Sequence, residues 1–160
     1  MLSIDWTMAG GWQKPEIIPY GPIRLETSAT VLHYGLSCHE GISVVKNAKT
    51  GKLQAFRAKE HLQAFQDSSE HLDLPLFDSN ELLNCVKELV LLDKDWMYAN
   101  DAPELFYTRL VHFSTDKTLG VRTAHATKIL AIINPVKLKQ KPITLKCSTN
   151  VEKSWPLGHG

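Results

Sequence analysis

The stretch LHYGLSCHEGISVV, residues 32–45, gathers His33, Tyr34, Cys38, His39 and Glu40 around two glycines. Imidazole and thiolate are the usual zinc ligands, so His33, Cys38 and His39 raise the question of a metal centre. A closed zinc site needs a full tetrahedral set, and no second Cys or His pair follows at finger-like spacing. Cys38 with a distant histidine would make a nucleophile and its base. Nothing local supports that pairing, and a free cysteine in a core behaves as a small hydrophobe. Packing is therefore the favoured reading of the cluster.

Tyr107 and Arg109 form a different constellation. Two positions apart on a strand, a phenol and a fixed-charge fork share one face, which suits a carboxylate ligand. The bland alternative is an arginine that is solvated or paired with an acid such as Glu104. Lys137, Lys139 and Lys141 precede Pro142 and read as a solvated basic connector.

The elements that must position these groups follow from periodicity and punctuation. Pro15, Pro19 and Pro22 predict an extended start of short strands and turns. ISVVKNAKTGKLQAF reads as a hairpin turning over Asn47 to Gly51. KEHLQAFQDSSEHL reads as a helix with a narrow stripe of Leu62, Phe65 and Leu72. A second helix is capped by Asp78 or Ser79, with Glu81 in its first turn and Leu82, Leu83, Val86, Leu89 and Val90 on one face. ELFYTRLVHF alternates as a strand with Leu105, Tyr107, Arg109, Val111 and Phe113 on one side. STDKTLGVRT reads as a loop, TKILAII as a buried strand ending at Asn134-Pro135, and ITLKCSTN as one more strand.

With 160 residues, 43% of them hydrophobic and 22% charged, the chain fits one folded domain. Eighteen basic side chains against seventeen acidic ones leave no strong field for nucleic acid or an anionic membrane. The odd set Cys38, Cys85 and Cys147 suits reduced thiols and a reducing compartment. No apolar run approaches a membrane span, and the terminus MLSIDWTMAGGW lacks signal- and transit-peptide features, so it reads as the start of mature structure.

Taken in order, DWTMAGGWQKPEIIPYGPIRLETSATVLHYG, HEG, LPLFDSNELLNCVKELVLLDKDW, LFYTRLVHFSTDKTLGVRT and INP give the chain a family resemblance. It resembles the amino-terminal, smaller domain of branched-chain aminotransferases, the class IV enzymes dependent on pyridoxal phosphate. LHYG with HEG, and the interval from YTR to TLGV, are the most specific parts. The resemblance implies an α/β (α+β) domain, a mostly antiparallel sheet with two main helices. On that pattern residues 1–136 form the small domain, 137–142 the interdomain linker and 143–160 the start of the large cofactor domain. It further implies a homodimer, or a larger assembly, acting on branched-chain amino acids and 2-oxo acids in the cytoplasm or the mitochondrial matrix.

By matched position, Tyr34 falls on the family's pocket tyrosine and His39 on a position commonly phenylalanine. Tyr107 and Arg109 match its Tyr-x-Arg beside the substrate, and Val121 matches the loop residue that reaches the neighbouring subunit's pocket. Ala64 stands where the family has an arginine for the cofactor phosphate, and Lys153 where an arginine is common. The Schiff-base lysine is expected beyond Gly160, so the resemblance assigns no catalytic residue here and no transamination by this stretch alone. Two other readings stand beside a branched-chain aminotransferase: a non-catalytic structural or interaction subunit derived from one, and a small-molecule binder that uses these side chains without a cofactor.

Overall fold

The computed structural model describes residues 1–98, 105–137 and 142–147. Its organising element is a long antiparallel trio: β4 Ser37–Lys46, β6 Leu105–Ser114 and β7 Ala126–Val136, with β6 in the middle. β1 Leu2–Thr7 extends the sheet beside β7, and β2 Gly11–Trp12 and β3 Glu16–Ile17 both pair with β1. β5 Leu53–Ala55 closes the other side, giving the strand order β2-β1-β7-β6-β4-β5 with β3 off that path. The fold is thus the mostly antiparallel α+β architecture expected.

The hairpin forms where the sequence places it. Asn47 takes the N–H groups of Lys49 and Thr50 on its side-chain oxygen, at 2.9 and 3.0 Å, while its own N–H donates to the Lys52 carbonyl at 2.8 Å. An asparagine that folds back on the following backbone in this way holds the turn without glycine at its first position.

Two helices cover the inner face of the sheet. α2 Ala58–His71 buries Leu62, Phe65 and Ser69, and α3 Ser79–Leu92 buries Leu82, Val86, Leu89 and Val90. Asp78 is the N-cap of α3: its carboxylate accepts from the N–H groups of Asn80 and Glu81 at 2.8 and 3.0 Å. Leu72 sits at the end of α2 and is only partly buried, packed against the core. A shorter helix, α1 Thr30–Tyr34, stops at Gly35, whose φ of 64° is the left-handed cap that glycine adopts without steric cost.

Two sequence expectations need correction. β7 runs past Asn134-Pro135 to Val136, because β1 reaches only as far as Ala131; beyond it β7 is an edge, where a missing N–H is tolerated. Residues 142–147 form no strand, and 148–150 lie outside the described residues. Ile143 and Leu145 are more than four-fifths exposed, so the β-prone pattern of ITLKC finds no described edge to pair with.

Inside the sheet lies a polar chain. His112 is fully buried among the rings of Trp12, Phe65 and Phe77. Its Nδ1 lies 3.0 Å from Ser69 Oγ and its Nε2 3.0 Å from Thr127 Oγ1. Ser69 has one hydroxyl proton and donates it to the Phe65 carbonyl at 2.9 Å. Nδ1 must then carry the ring hydrogen and donate to Ser69, leaving Nε2 to accept from Thr127. A second ring proton would confront Thr127 with a donor and leave a charge buried, and burial lowers the His112 pKa to about 4.

Two predictions follow from this interior. Unfolded histidine titrates near 6.5, so folding should favour the neutral ring and stability should fall as pH drops from about 6.5 to about 4. The loss should total roughly 3 kcal/mol and begin before the carboxylates titrate, as urea unfolding at successive pH values will show. Thr108 is fully buried and its hydroxyl has no hydrogen-bond partner among the described residues. Thr108→Val should therefore raise stability by about 1 kcal/mol in the same assay at pH 7.5.

Candidate functional site

Strand alternation decides which of the candidate side chains meet. On β4, Cys38, Ile42 and Val44 turn inward, whereas His39, Gly41 and Ser43 belong to the outer face. Adjacent residues on one strand point to opposite sides. Cys38 and His39 therefore diverge. His33 is elsewhere again, with its Nε2 2.8 Å from the Thr27 carbonyl. Among the described residues no three His, Cys, Asp or Glu side chains gather into a metal cradle. Burial pushes the Cys38 thiol up, and its Sγ lies 3.4 Å from Ser69 Oγ, so it remains a neutral thiol within the buried polar chain.

The outer face of β6 carries Tyr107 and Arg109, as the sequence pattern requires. Tyr107 pairs with Ser43 and Asn134, and Arg109 with Gly41 and Ile132. Gly41 is the floor under the tyrosine ring: a Cβ there would lie 2.0 Å from Tyr107 Oη and 2.3 Å from its Cζ. Only hydrogen at position 41 lets the phenol lie flat against β4. His39 is exposed on the same face, opposite Val111 and one pair along from Arg109.

Arg109 is half-buried, and among the described residues no carboxylate lies within ion-pair distance of it. It and Tyr107 line a cavity of about 970 Å³ together with Ile17, Ile18, Leu92 and Ile132. A guanidinium fork and a phenol beside mainly apolar walls can fix a carboxylate and accommodate an aliphatic chain. Glu104, the suggested acid partner, lies outside the described residues, as do Lys139, Lys141 and Lys153.

Tyr34 and Val121 belong to a separate cluster. Tyr34 stands at the end of α1, and its hydroxyl oxygen accepts the N–H of Gly120 at 3.1 Å. Val121 follows immediately and is 88% exposed. The loop from Asp116 to Thr118 is fastened below by Thr30, whose N–H donates to the Asp116 carbonyl at 3.0 Å, and by Ser28 Oγ, which donates to Lys117 at 2.5 Å. Val121 is thus held out on an anchored rim rather than in the cavity with Tyr107.

A phosphate anchor does not fit at position 64. Ala64 is exposed on α2 and its methyl group supplies neither charge nor donor. One turn earlier, His61 Nδ1 lies 3.3 Å from Glu40 Oε1, and that carboxylate also accepts the Gly41 N–H at 2.6 Å.

Gly41 and Asn134 escaped the sequence reading as site residues. Glycine inside a strand pattern signals a close approach and was the available clue for Gly41. Asn134 reaches the cavity wall only through the β6–β7 register, which no local pattern reveals.

No family model matches the chain. The branched-chain-amino-acid aminotransferase of Monosiga brevicollis is 34% identical over 164 aligned positions, covering all of this chain and 42% of that protein. A probable branched-chain-amino-acid aminotransferase of Staphylococcus aureus is 36% identical over 135 positions, covering 84% of this chain and 37% of its own length. The crystal structure of the branched-chain aminotransferase from Thermoproteus uzoniensis with norvaline superposes with a TM-score of 0.52 at 26% identity, covering 68% of this chain and 35% of that one. The chain spans about two fifths of the length of the curated relatives it matches.

The contact between Gly41 and Tyr107 makes a quantitative prediction. Gly41→Ala should destabilise the fold by about 1–3 kcal/mol through overpacking. In a Tyr107→Ala background the same change should cost under about 0.5 kcal/mol, a coupling that a double-mutant cycle in denaturant will read.

Proposed function

For a chain homologous throughout to the amino-terminal portion of branched-chain aminotransferases, we propose the role of the substrate-side domain of such an enzyme. Residues 1–136 are then the small domain, which accords with β7 ending at Val136; 137–142 are the linker and 143–160 the beginning of a larger cofactor domain. The observation that carries this reading is Arg109: a half-buried guanidinium without a carboxylate partner among the described residues, beside Tyr107 in a mainly apolar cavity. Its fork binds the carboxylate of a branched-chain amino acid or 2-oxo acid. The phenol of Tyr107, set by Gly41, orients the same group, and Ile17, Ile18 and Ile132 exclude water from the aliphatic side chain.

In this reading His39 stands on the same face as Arg109, while Tyr34 and Val121, on their separate rim, are offered toward the pocket of a second subunit of a homodimer. Compartment follows the family, cytosol or mitochondrial matrix; no described helix is long and apolar enough to cross a membrane. Pyridoxal phosphate, the family's cofactor, would find no phosphate anchor at position 64, because Ala64 offers neither charge nor donor. The exposed methyl at that position also supports a second reading: a non-catalytic subunit that keeps the fold and the carboxylate site inside a larger assembly.

Titration with 4-methyl-2-oxopentanoate, followed by NMR or calorimetry, tests the carboxylate site directly. Saturable binding is expected, weakened about 10-fold or more in Arg109→Gln because a charge-assisted contact is removed. Equal affinity in wild type and Arg109→Gln would remove the basis of the reading.

A further inference from the structure

At the other end of β7 from the Tyr107 cavity lies a second, polar one of about 630 Å³. Permanent cations line it on four side chains, Arg24, Lys117, Arg122 and Lys128. Three carboxylates face them, those of Asp5, Glu26 and Asp116. Two of these carboxylates are ion-paired, and among the described residues the third meets only a backbone N–H. Asp5 Oδ2 lies 2.7 Å from Lys128 Nζ, which also donates to Ser3 Oγ at 3.0 Å. Glu26 Oε1 lies 3.9 Å from Lys117 Nζ. Asp116, itself buried, accepts the His125 N–H on Oδ2 at 2.8 Å. Lys128 is closely paired and Lys117 loosely so, while among the described residues no carboxylate lies within ion-pair distance of Arg24 or Arg122, which leaves two guanidinium groups against the single unpaired carboxylate of Asp116.

The rim that carries Arg122 is also fixed in place. Arg122 Nη2 donates to Thr118 Oγ1. The loop beneath is tied to the segment after Arg24 by Ser28 Oγ on the Lys117 carbonyl and by Thr30 on the Asp116 carbonyl. Guanidinium groups in excess over carboxylates in a concave polar site, one of them already oriented, attract an anion and lose little freedom in binding it.

We infer that this cavity binds a small oxyanion of the phosphate or dicarboxylate kind through Arg24 and Arg122. Both side chains are exposed, so neither is required for the core, and the site shares no residue with the Tyr107 cavity. The aminotransferase reading can fail without affecting it.

The 160-residue chain should be titrated with inorganic phosphate and, separately, with succinate at constant ionic strength, read by calorimetry and by the amide shifts of residues 115–125. Saturable binding is expected for at least one anion, weakened about 10-fold or more in Arg24→Gln and in Arg122→Gln. It should be unchanged in Lys87→Gln, an exposed cation on α3 outside the cavity. Tighter binding of phosphate or of succinate identifies which of the two chemistries the site serves. Thermal melts of the three variants should match wild type without ligand, which separates lost binding from lost folding. No saturable binding of either anion, or equal binding in both arginine variants and wild type, overturns the inference.

Discussion

Everything the molecule presents depends on β6 being paired along its whole length on both sides. Its register with β4 and β7 fixes two sets of side chains at once. Phe106, Thr108, Leu110 and His112 go under the helices, and Tyr107, Arg109 and Val111 go to the opposite face. A one-residue slip would exchange the sets, burying a guanidinium and exposing two large apolar side chains. The cost of that exchange holds the functional groups in register, so the core and the candidate site are two faces of one constraint.

The buried polar chain strengthens the same constraint. His112 joins Ser69 on α2 to Thr127 on β7, so a helix and two strands are linked by directional bonds as well as by packing. A hydrocarbon core tolerates small slides, but a neutral imidazole bonded through both nitrogens has one satisfactory position. Thr108 lacks such a partner among the described residues and stands out on the same strand for that reason.

The outer face is furnished unevenly. It has a floor for the phenol in Gly41 and a guanidinium without an acidic partner among the described residues, whereas on the helical side of the sheet Ala64 presents only a methyl group. A guanidinium beside apolar walls suits a carboxylate with an aliphatic chain, and a methyl group at position 64 suits no phosphate.

Much of this was written in local pattern. The alternation in LFYTRLVHF set Tyr107 beside Arg109, Asp78 announced the start of α3, and Asn47 to Gly51 announced the hairpin, because each depends on bonds or sterics within a few residues. The family resemblance rested on the same local stretches and agreed with the fold. In LHYGLSCHEG, by contrast, closeness in sequence does not mean closeness in space, because neighbouring positions put Cys38 and His39 on opposite sides of a strand. What the tertiary structure alone decided was everything that crosses the sheet. Gly41 lies under Tyr107, Asn134 reaches the cavity, His112 is neutral, and β7 outlasts its proline where β1 stops covering it. Those facts follow from strand register, which is set by burying a whole face at once and has no signature in any single segment.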